Sequence, residues 1–561
     1  MPGNSFFHLI DEIWKSSQIN ETCHRICSVM RRMNAKTVVI ESLDEAFEEH
    51  ARVLREIEAI EKRLSRKITT EIYKITFLKI EFQEDADFSV NEAKVLSADA
   101  TNFLGCAIVI NLTLKPDIKK SYIFEAIIQD LSLAETNEGM KNMQEPSFSG
   151  HYLHVKKIFN CSVLARKKTY DILGTFFSQQ NSITNVCAHA CALMMLNNCN
   201  EIKNILTCED INQVIGIDHL NRLQTVNVKY GDNNRATHDG LSSLELEKVF
   251  RHFGFNSYRQ TFENKNKRYF REFIYGFIES GYPALLSFST TTRNNEISAH
   301  VVAVAGHTWN PNSWFPHAFT NYVGPFNKEK PYLSSLGWIN DLLVHDDNFG
   351  MQLCLPAHSF RPEDYPEPGL GFIPTGAIGI FPKCKNVSLL AHNAERIAAG
   401  ILHEVFCMFR KDGGLPKENY YVNHLQQHIL HPYKRTVVLR TSLVEKSTYL
   451  ENLKRKDNKG KYYLHDSIQK IDATLGKLDR IWLVEVTEPD LYVGNLSKVI
   501  DVVMDPAFEF DARQPDKFNK ALVMLRFPQF LMTPKYSDSN QYLVEGPLLE
   551  VEGHLPLVQS R

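Results

Sequence analysis

One helix in this chain can be placed from composition alone, and it begins at a cysteine. Residues 179–185 are polar and lead towards Cys187, after which residues 188–196, AHACALMML, favour a helix. A thiol at a helix start lies beside unpaired backbone N–H groups and the positive end of the helix dipole. Both lower a cysteine pKa from its usual value of about 8.5. Cys187 is therefore a candidate nucleophile, and the alternative is a small buried apolar side chain.

Side chains near Cys187 indicate an oxyanion site rather than a metal site. The amide of Gln180 or Gln179 lies upstream and is suited to donate to a developing oxyanion, with the backbone N–H of Cys187 as second donor. Cys187 and Cys191 share a helix face, but His189 points elsewhere, and the chain has no CxxC pair. We therefore predict no metal and no other cofactor, with Cys191 in the core.

A strand-like run supplies a candidate base. His300 precedes the apolar residues 301–305, and Gly306 is predicted to end that strand. His307 is the alternative, but it lies about 23 Å along an extended strand, so one thiolate cannot use both rings. We choose His300, because His307 follows the predicted turn at Gly306.

A second predicted strand, residues 342–344, ends in His345-Asp346-Asp347. A carboxylate at this point is suited to accept the imidazole N–H and hold the ring in one tautomer. Adjacent residues of a strand face opposite sides, so only one of Asp346 and Asp347 is expected to do this.

In this order, the glutamine, the cysteine, the histidine and the aspartate resemble the papain-like cysteine peptidases. In particular, the chain is similar to the bacteriocin-leader-processing (double-glycine) peptidases and their uncharacterised relatives. The matching text is QQNSITNVCAHACALMML, GYPALLSF, AHVVAVAGH and LLVHDDNFG, within about residues 175–355. The resemblance implies Cys187 as nucleophile and His300 as base. It also implies Asp346 as the residue that orients the histidine and Gln180 as oxyanion donor.

The chain departs from that family pattern at two places. The family usually has its glutamine six residues before the cysteine, where this chain has Asn181; Gln180 lies seven before. Family members tend to have Asp four residues before a glycine, which fits Asp346 and Gly350. Papain has Asn three residues before its glycine, which favours Asp347. The choice between the two acids stays open.

The 561-residue chain is too long for one ordinary domain, since domains average roughly 150 residues. We predict an α+β protein with a helical segment at 1–70 and a β-rich domain at 71–174. The papain-like domain, a helix carrying the cysteine packed on an antiparallel sheet carrying the histidine and the acid, is predicted at 175–385. An α+β domain of unknown role is predicted at 386–561.

Two capping boxes give local predictions. Ser42 with Glu45 is predicted to start an amphipathic N-terminal helix, which we expect to pack on its own protein rather than in a coiled coil with a partner. Ser242 with Glu245 is predicted to start a helix that Gly254 ends.

Charge and cysteine usage restrict the partners. The 63 Lys+Arg and 66 Asp+Glu give a net charge of −3, which offers no electrostatic argument for nucleic acid. The chain contains no run of 18 consecutive apolar residues, so no membrane span is predicted. The N-terminus lacks a signal-peptide pattern, and the 11 cysteines are irregularly spaced, so we expect reduced thiols and a cytoplasmic protein. The expected partners are a protein or peptide substrate and a protein bound by the flanking domains.

Our leading hypothesis is a thiol-dependent acyl-transfer enzyme, a cysteine protease or isopeptidase. The same triad is compatible with glutamine deamidation or transglutamination, because the triad alone does not separate these reactions. A non-catalytic papain-like binding module is the other alternative. A zinc peptidase is disfavoured, because His403-Glu404 is followed by Cys407 where that motif needs histidine.

Overall fold

The structure is a computed structural model of the chain. It describes residues 5–10, 21–82, 87–116, 118–130, 150–153, 155–217, 219, 241–262, 270–291, 297–309, 322–323, 332–356, 372–383, 386–412, 423–424, 426–427, 437–454, 465–492, 497–528, 530–535, 542–545 and 555–558. Within these residues the protein is a mixed α+β protein built on three large sheets, in which nearly all neighbouring strands are antiparallel.

The first sheet occupies the N-terminal third and has helices on both faces. Its strands follow the order β1-β2-β3-β4-β5-β8-β7, and β6 leaves it for the second sheet. The elements are β1 Ser5–Leu9, α1 Glu21–Arg32, β2 Thr37–Ser42, α2 His50–Leu64, β3 Thr69–Leu78, α3 Phe88–Ser97, β4 Phe103–Lys115, β5 Ile118–Gln129, β6 Gly150–Leu153, β7 Lys157–Val163 and β8 Lys168–Phe177.

The burial of this sheet on both faces explains why its central strands are almost continuously apolar. On β4, Ile108, Ile110 and Leu112 pack in the core beneath α2. The alternate residues Ala107 and Val109 pack in the core that α1 shares. Because successive side chains of a strand point to opposite faces, a strand covered on both sides needs apolar residues at every position.

The predicted helix start at Ser42 is wrong. Ser42 is the last residue of β2, where it pairs with Tyr73 of β3, and the helix begins only at His50. The run TVVIES is β-branched, and its pairing between two strands outweighs the local capping signal. Strands from both sides of residue 70 form this one sheet, so the segment 1–70 is not purely helical.

The second sheet carries the candidate site. Its strands follow the order β15-β14-β11-β10-β16-β9, and β6 pairs with the far end of β11. The elements are α4 Cys187–Asn197, α5 Cys208–Ile215, α6 Ser243–His252, β9 Phe255–Thr261, α7 Phe270–Glu279, β10 Ala284–Thr291, β11 Ile297–Trp309, β12 Tyr322–Val323, β13 Tyr332–Ser334, β14 Asp341–Asp346, β15 Gly350–Pro356 and β16 Phe372–Pro382. The strands β12 and β13 belong to the third sheet.

The helix α4 lies between two sheets, in contact with β8 of the first and with β10 and β11 of the second. Every residue after Cys187 in this helix is buried, which accounts for its apolar composition on all sides. The capping box of Ser242 and Glu245 is confirmed at the start of α6, and Gly254 follows the helix with φ of 89°.

The strand β11 is longer than predicted. Gly306 does not end it; the register shifts between Val304 and Gly306, and the strand continues to Trp309. His307 therefore lies within the strand, not after a turn, which corrects the reason given above for choosing His300.

The third sheet has eight strands in the order β12-β13-β17-β18-β20-β21-β22-β23. The C-terminal elements are α8 Ala391–Asp412, β17 Val438–Glu445, α9 Lys446–Lys454, α10 His465–Leu475, β18 Arg480–Thr487, α11 Pro489–Tyr492, β19 Ser497–Lys498, β20 Ile500–Met504, β21 Leu522–Arg526, β22 Leu531–Pro534, β23 Tyr542–Glu545 and β24 Leu555–Pro556. One apolar core joins α7, α8 and strands of the second and third sheets. Strand β3 crosses residue 70, and the third sheet takes strands from both sides of residue 385. Neither predicted boundary therefore separates one sheet from the next.

Candidate active site

The candidate nucleophile lies where the sequence places it. Cys187 is the first residue of α4, after the extended Val186 with φ of −135°. Its thiol is partly exposed, whereas Cys191, one turn later, is completely buried. Burial raises the pKa of the Cys191 thiol well above its usual value, so Cys191 is an unreactive core residue as predicted. His189 points into the core, where its Nδ1 accepts the Val186 N–H at 3.4 Å.

The imidazole of His300 connects the thiol to two carboxylates. Its Nε2 lies 3.2 Å from Asp346 Oδ1 and 3.7 Å from Asp347 Oδ1. The His300 side chain also lies within hydrogen-bonding reach of the Cys187 thiol. Burial lowers the pKa of His300, but the hydrogen bonds and the two acids outweigh it and raise that pKa to about 10.

Asp346 is held rigidly at the end of β14. Its Oδ1 accepts the backbone N–H of Asn348 at 2.8 Å and of Phe349 at 3.1 Å, which closes the turn into β15. Gly350, four residues after Asp346, has φ of 127°, a backbone conformation that a side chain rarely adopts. The Asp-to-Gly spacing thus builds the turn that holds the carboxylate against His300.

Asp347 reaches the same ring nitrogen, which the alternation of a strand did not predict. The strand β14 ends at Asp346, so Asp347 belongs to the turn and is free of that alternation. Its side chain is 1% exposed, and neither of its oxygens has a hydrogen-bond partner among the described residues. Burial, reinforced by the charge of Asp346, raises the pKa of Asp347 to about 7 against the opposing effect of His300.

The same three residues form a group of potential metal ligands. One ligand atom from each of His300, Asp346 and Asp347 lies within 4.8 Å of the others. Asp346 Oδ1, the nearer oxygen to the ring, already accepts two backbone N–H groups. A carboxylate held in this way can act as a fixed acceptor for an imidazole, and metal-ligating carboxylates are hydrogen-bonded in the same manner.

The two upstream glutamines have different surroundings. Gln179 binds the first sheet through two hydrogen bonds to Ile123. Its side-chain Oε1 accepts the backbone N–H of Ile123 at 2.8 Å, and its backbone N–H donates to the Ile123 carbonyl at 2.9 Å. The Nε2 of Gln180 donates to Asn348 Oδ1 at 2.9 Å, in the turn that follows Asp346. Of the two amides, only that of Gln180 contacts the turn that carries the candidate site's acids.

Residues that the sequence analysis missed hold the loop before Cys187. Asn181 is completely buried and bonded within the loop, and the carboxylate that binds it comes from Glu56 on α2. Glu56 lies in the charged run EEHARVLREIEAIEKR, where nothing in the sequence separates a buried glutamate from its exposed neighbours.

His307 does not join the site. Its Nε2 lies 2.9 Å from Glu279 Oε2, and Arg440 binds the other oxygen of the same carboxylate. The polar residues His238 and Asp239, in the run THDG shortly before Ser242, lie outside the described residues.

No protein-family model matches this chain, and no curated protein matches it significantly. The ten cysteines of the described part are free thiols. Among the described helices, none has both the length and the apolarity that crossing a membrane requires.

Proposed function

We propose that this protein is a thiol-dependent acyl-transfer enzyme with a papain-like site, a cysteine peptidase or isopeptidase acting on a protein or peptide. One observation carries the proposal: the His300 side chain lies beside both a partly exposed thiol at a helix start and two carboxylates. Such chemistry needs a nucleophile, a base beside it and an acid that orients the base. The cytoplasmic location stays a prediction.

In the proposed reaction the Cys187 thiolate attacks the substrate carbonyl, and the thiol proton resides on His300. The backbone N–H of Cys187 and the amide of Gln180 would stabilise the oxyanion that forms. His300 then gives its proton to the leaving amine as the carbon–nitrogen bond breaks. Water, activated by the neutral imidazole, hydrolyses the thioester and regenerates the thiol. Asp346 holds the ring in position throughout.

The test compares Cys187 with Cys354, an exposed thiol of the same chain. Partial desolvation of its side chain and the nearby Asp341 raise the pKa of Cys354 to about 11, so it is a poor nucleophile at pH 6. We expect iodoacetamide to alkylate Cys187 at least about 100-fold faster at that pH, as thiolate reactivity requires. Peptide mass spectrometry gives both rates from one sample. Equal rates in a folded sample would instead support a non-catalytic binding module.

The reaction catalysed can be identified by comparing cells that contain the active protein with cells that contain Cys187→Ala. New protein N-termini that depend on the thiol indicate proteolysis. Conversion of glutamine to glutamate without cleavage indicates deamidation and would replace the peptidase proposal.

A further inference from the structure

Side-chain hydrogen bonds within the loop between Gln180 and Cys187 hold its backbone. The Oδ1 of Asn181 accepts the backbone N–H of Ile183 at 2.8 Å, of Thr184 at 2.8 Å and of Asn185 at 3.2 Å. In return, the backbone N–H of Asn181 donates to Asn185 Oδ1 at 2.7 Å. We call residues 181–186 the Asn181 loop.

A glutamate from the N-terminal region binds both asparagines of the Asn181 loop. Glu56 Oε1 accepts hydrogen bonds from Asn181 Nδ2 and, at 3.1 Å, from Asn185 Nδ2. The Tyr122 hydroxyl donates to the same oxygen at 3.3 Å. Glu56 is 1% exposed on the face of α2 that packs on the first sheet. Glu56, which lies 125 positions before Asn181 in the sequence, therefore holds the Asn181 loop in place.

A carboxyl group is an unfavourable choice for this position unless its hydrogen bonds are needed. Burial and the nearby negative charge of Glu209 raise the pKa of Glu56 to about 7, and its Oε2 has no hydrogen-bond partner in the described part of the chain. An apolar side chain would avoid that penalty. The hydrogen bonds that Glu56 forms are to the loop and to Tyr122, so its polar contacts are concentrated on the loop.

We infer that Glu56 is a positioning residue of the proposed active site, setting both the Gln180 amide and the start of α4 through Asn181 and Asn185. This inference rests on the proposed function. Gln180 directly precedes Asn181, and Cys187 follows Asn185 by two residues. Both proposed oxyanion donors, the Gln180 amide and the Cys187 N–H, thus flank the loop that Glu56 holds, so helix α2 supports the proposed site.

Two reactions of the same thiol separate positioning from general folding. Alkylation by iodoacetamide forms a sulfur–carbon bond and releases iodide, without an oxyanion. Acylation by p-nitrophenyl acetate forms a thioester at Cys187 through an oxyanion and releases p-nitrophenolate. Loss of donor geometry therefore slows acylation more than alkylation, whereas partial unfolding slows both equally.

The variants are Glu56→Ala, Glu56→Gln and the control Glu395→Ala, with rates corrected by Cys187→Ala. We expect Glu56→Ala to slow acylation about 100-fold, as misplaced donors do, and alkylation at most about threefold. Glu56→Gln keeps an acceptor oxygen for the asparagines and should restore most of the acylation rate. Glu395 is also buried, in the helix α8 away from the loop, so its removal should not change the ratio of the two rates.

Three results would overturn the inference while leaving the proposed function intact: an unchanged acylation rate in Glu56→Ala, an equal fall in both rates, or the same selective loss in Glu395→Ala. If Glu56→Ala does not fold, Glu56→Asp withdraws the carboxylate by one methylene and serves the same comparison. If wild type and Cys187→Ala react alike in both assays, the proposed function fails first, and the inference falls with it.

Discussion

Two histidines of one strand, seven residues apart, differ in what surrounds them. His300 is 14% exposed, lies against two acids through Nε2 and contacts a thiol. His307 is 1% exposed; its Nε2 faces Glu279, and its Nδ1 lies 3.0 Å from the Thr308 carbonyl. Residue type and strand are the same in both cases. What makes His300 a candidate base is a more accessible position beside a candidate nucleophile.

His307 begins a line of buried charges that joins the second and third sheets. The carboxylate of Glu279 binds Arg440, which binds Glu485 at 2.6 Å. The line continues through three further residues that alternate in sign. They are Lys498, Asp501 and Arg526. Lys498 lies 2.8 Å from Glu485 and 3.0 Å from Asp501, and Arg526 lies 2.6 Å from Asp501. We call these seven residues the buried charge line. Each acid in it has a basic neighbour, as buried ions require.

Replacing each histidine by alanine distinguishes the roles of His300 and His307 most directly. His300→Ala is expected to slow alkylation of Cys187 at pH 7 by about 1,000-fold, the order of a lost general base, and to lower the melting temperature modestly, because Asp346 and Asp347 lose their basic neighbour. His307→Ala is expected to lower the melting temperature, because Glu279 loses a partner, while the folded fraction keeps its labelling rate. Equal loss of labelling in the two variants would contradict the division of roles.

The buried charge line can be tested at Arg440, which holds two acids. Arg440→Ala leaves Glu279 and Glu485 without this partner and is expected to cost about 3–5 kcal/mol of unfolding free energy. The matched control is Arg513→Ala, which breaks the exposed pair with Asp511 and should change nothing measurable. Denaturant titration compares the two. A small effect at Arg440 would mean that the line does not support the fold.

The smallest effect distinguishes the two acids beside His300 by pH. The positive charge of His300 stabilises the Asp346 carboxylate at neutral pH. Because the pKa of His300 is raised to about 10, this stabilisation is lost as pH rises through about 10. Asp346→Asn should therefore cost about 1–2 kcal/mol near pH 7 and less above pH 10. Burial raises the pKa of Asp347 from 3.8 to about 7, so its ionisation destabilises the folded state progressively between those two pH values. Asp347→Asn should be relatively stabilising above pH 7. Thermal melts across pH would contradict this if both variants behaved alike.

Elements with a strong local signal could be predicted from the sequence. The change of composition at Cys187 marked the start of α4, and the reciprocal bonds of Ser242 and Glu245 marked α6. The same kind of signal misled at Ser42, because strand pairing with β1 and β3 is a long-range interaction that a capping pattern does not contain.

The site was predicted as far as it depends on spacing along the chain. The contact of His300 with both Asp346 and Asp347 was missed, because it depends on the residue at which β14 ends. Glu56 was missed because its role depends on which face of α2 meets a loop 125 residues later. Burial of a charged residue is decided by tertiary packing, and a helix with many charges gives no local indication of it.

The position of Glu56 on an early helix has a consequence for synthesis on the ribosome. Chains fold from the N-terminus as they emerge, so α2 and β5 are available before the Asn181 loop leaves the exit tunnel. The loop can then pack on α2 and β5 after these have folded. At that point His300, Asp346 and Asp347 have not yet been translated. A nascent chain thus carries its thiol without a base until more than a hundred further residues have been added.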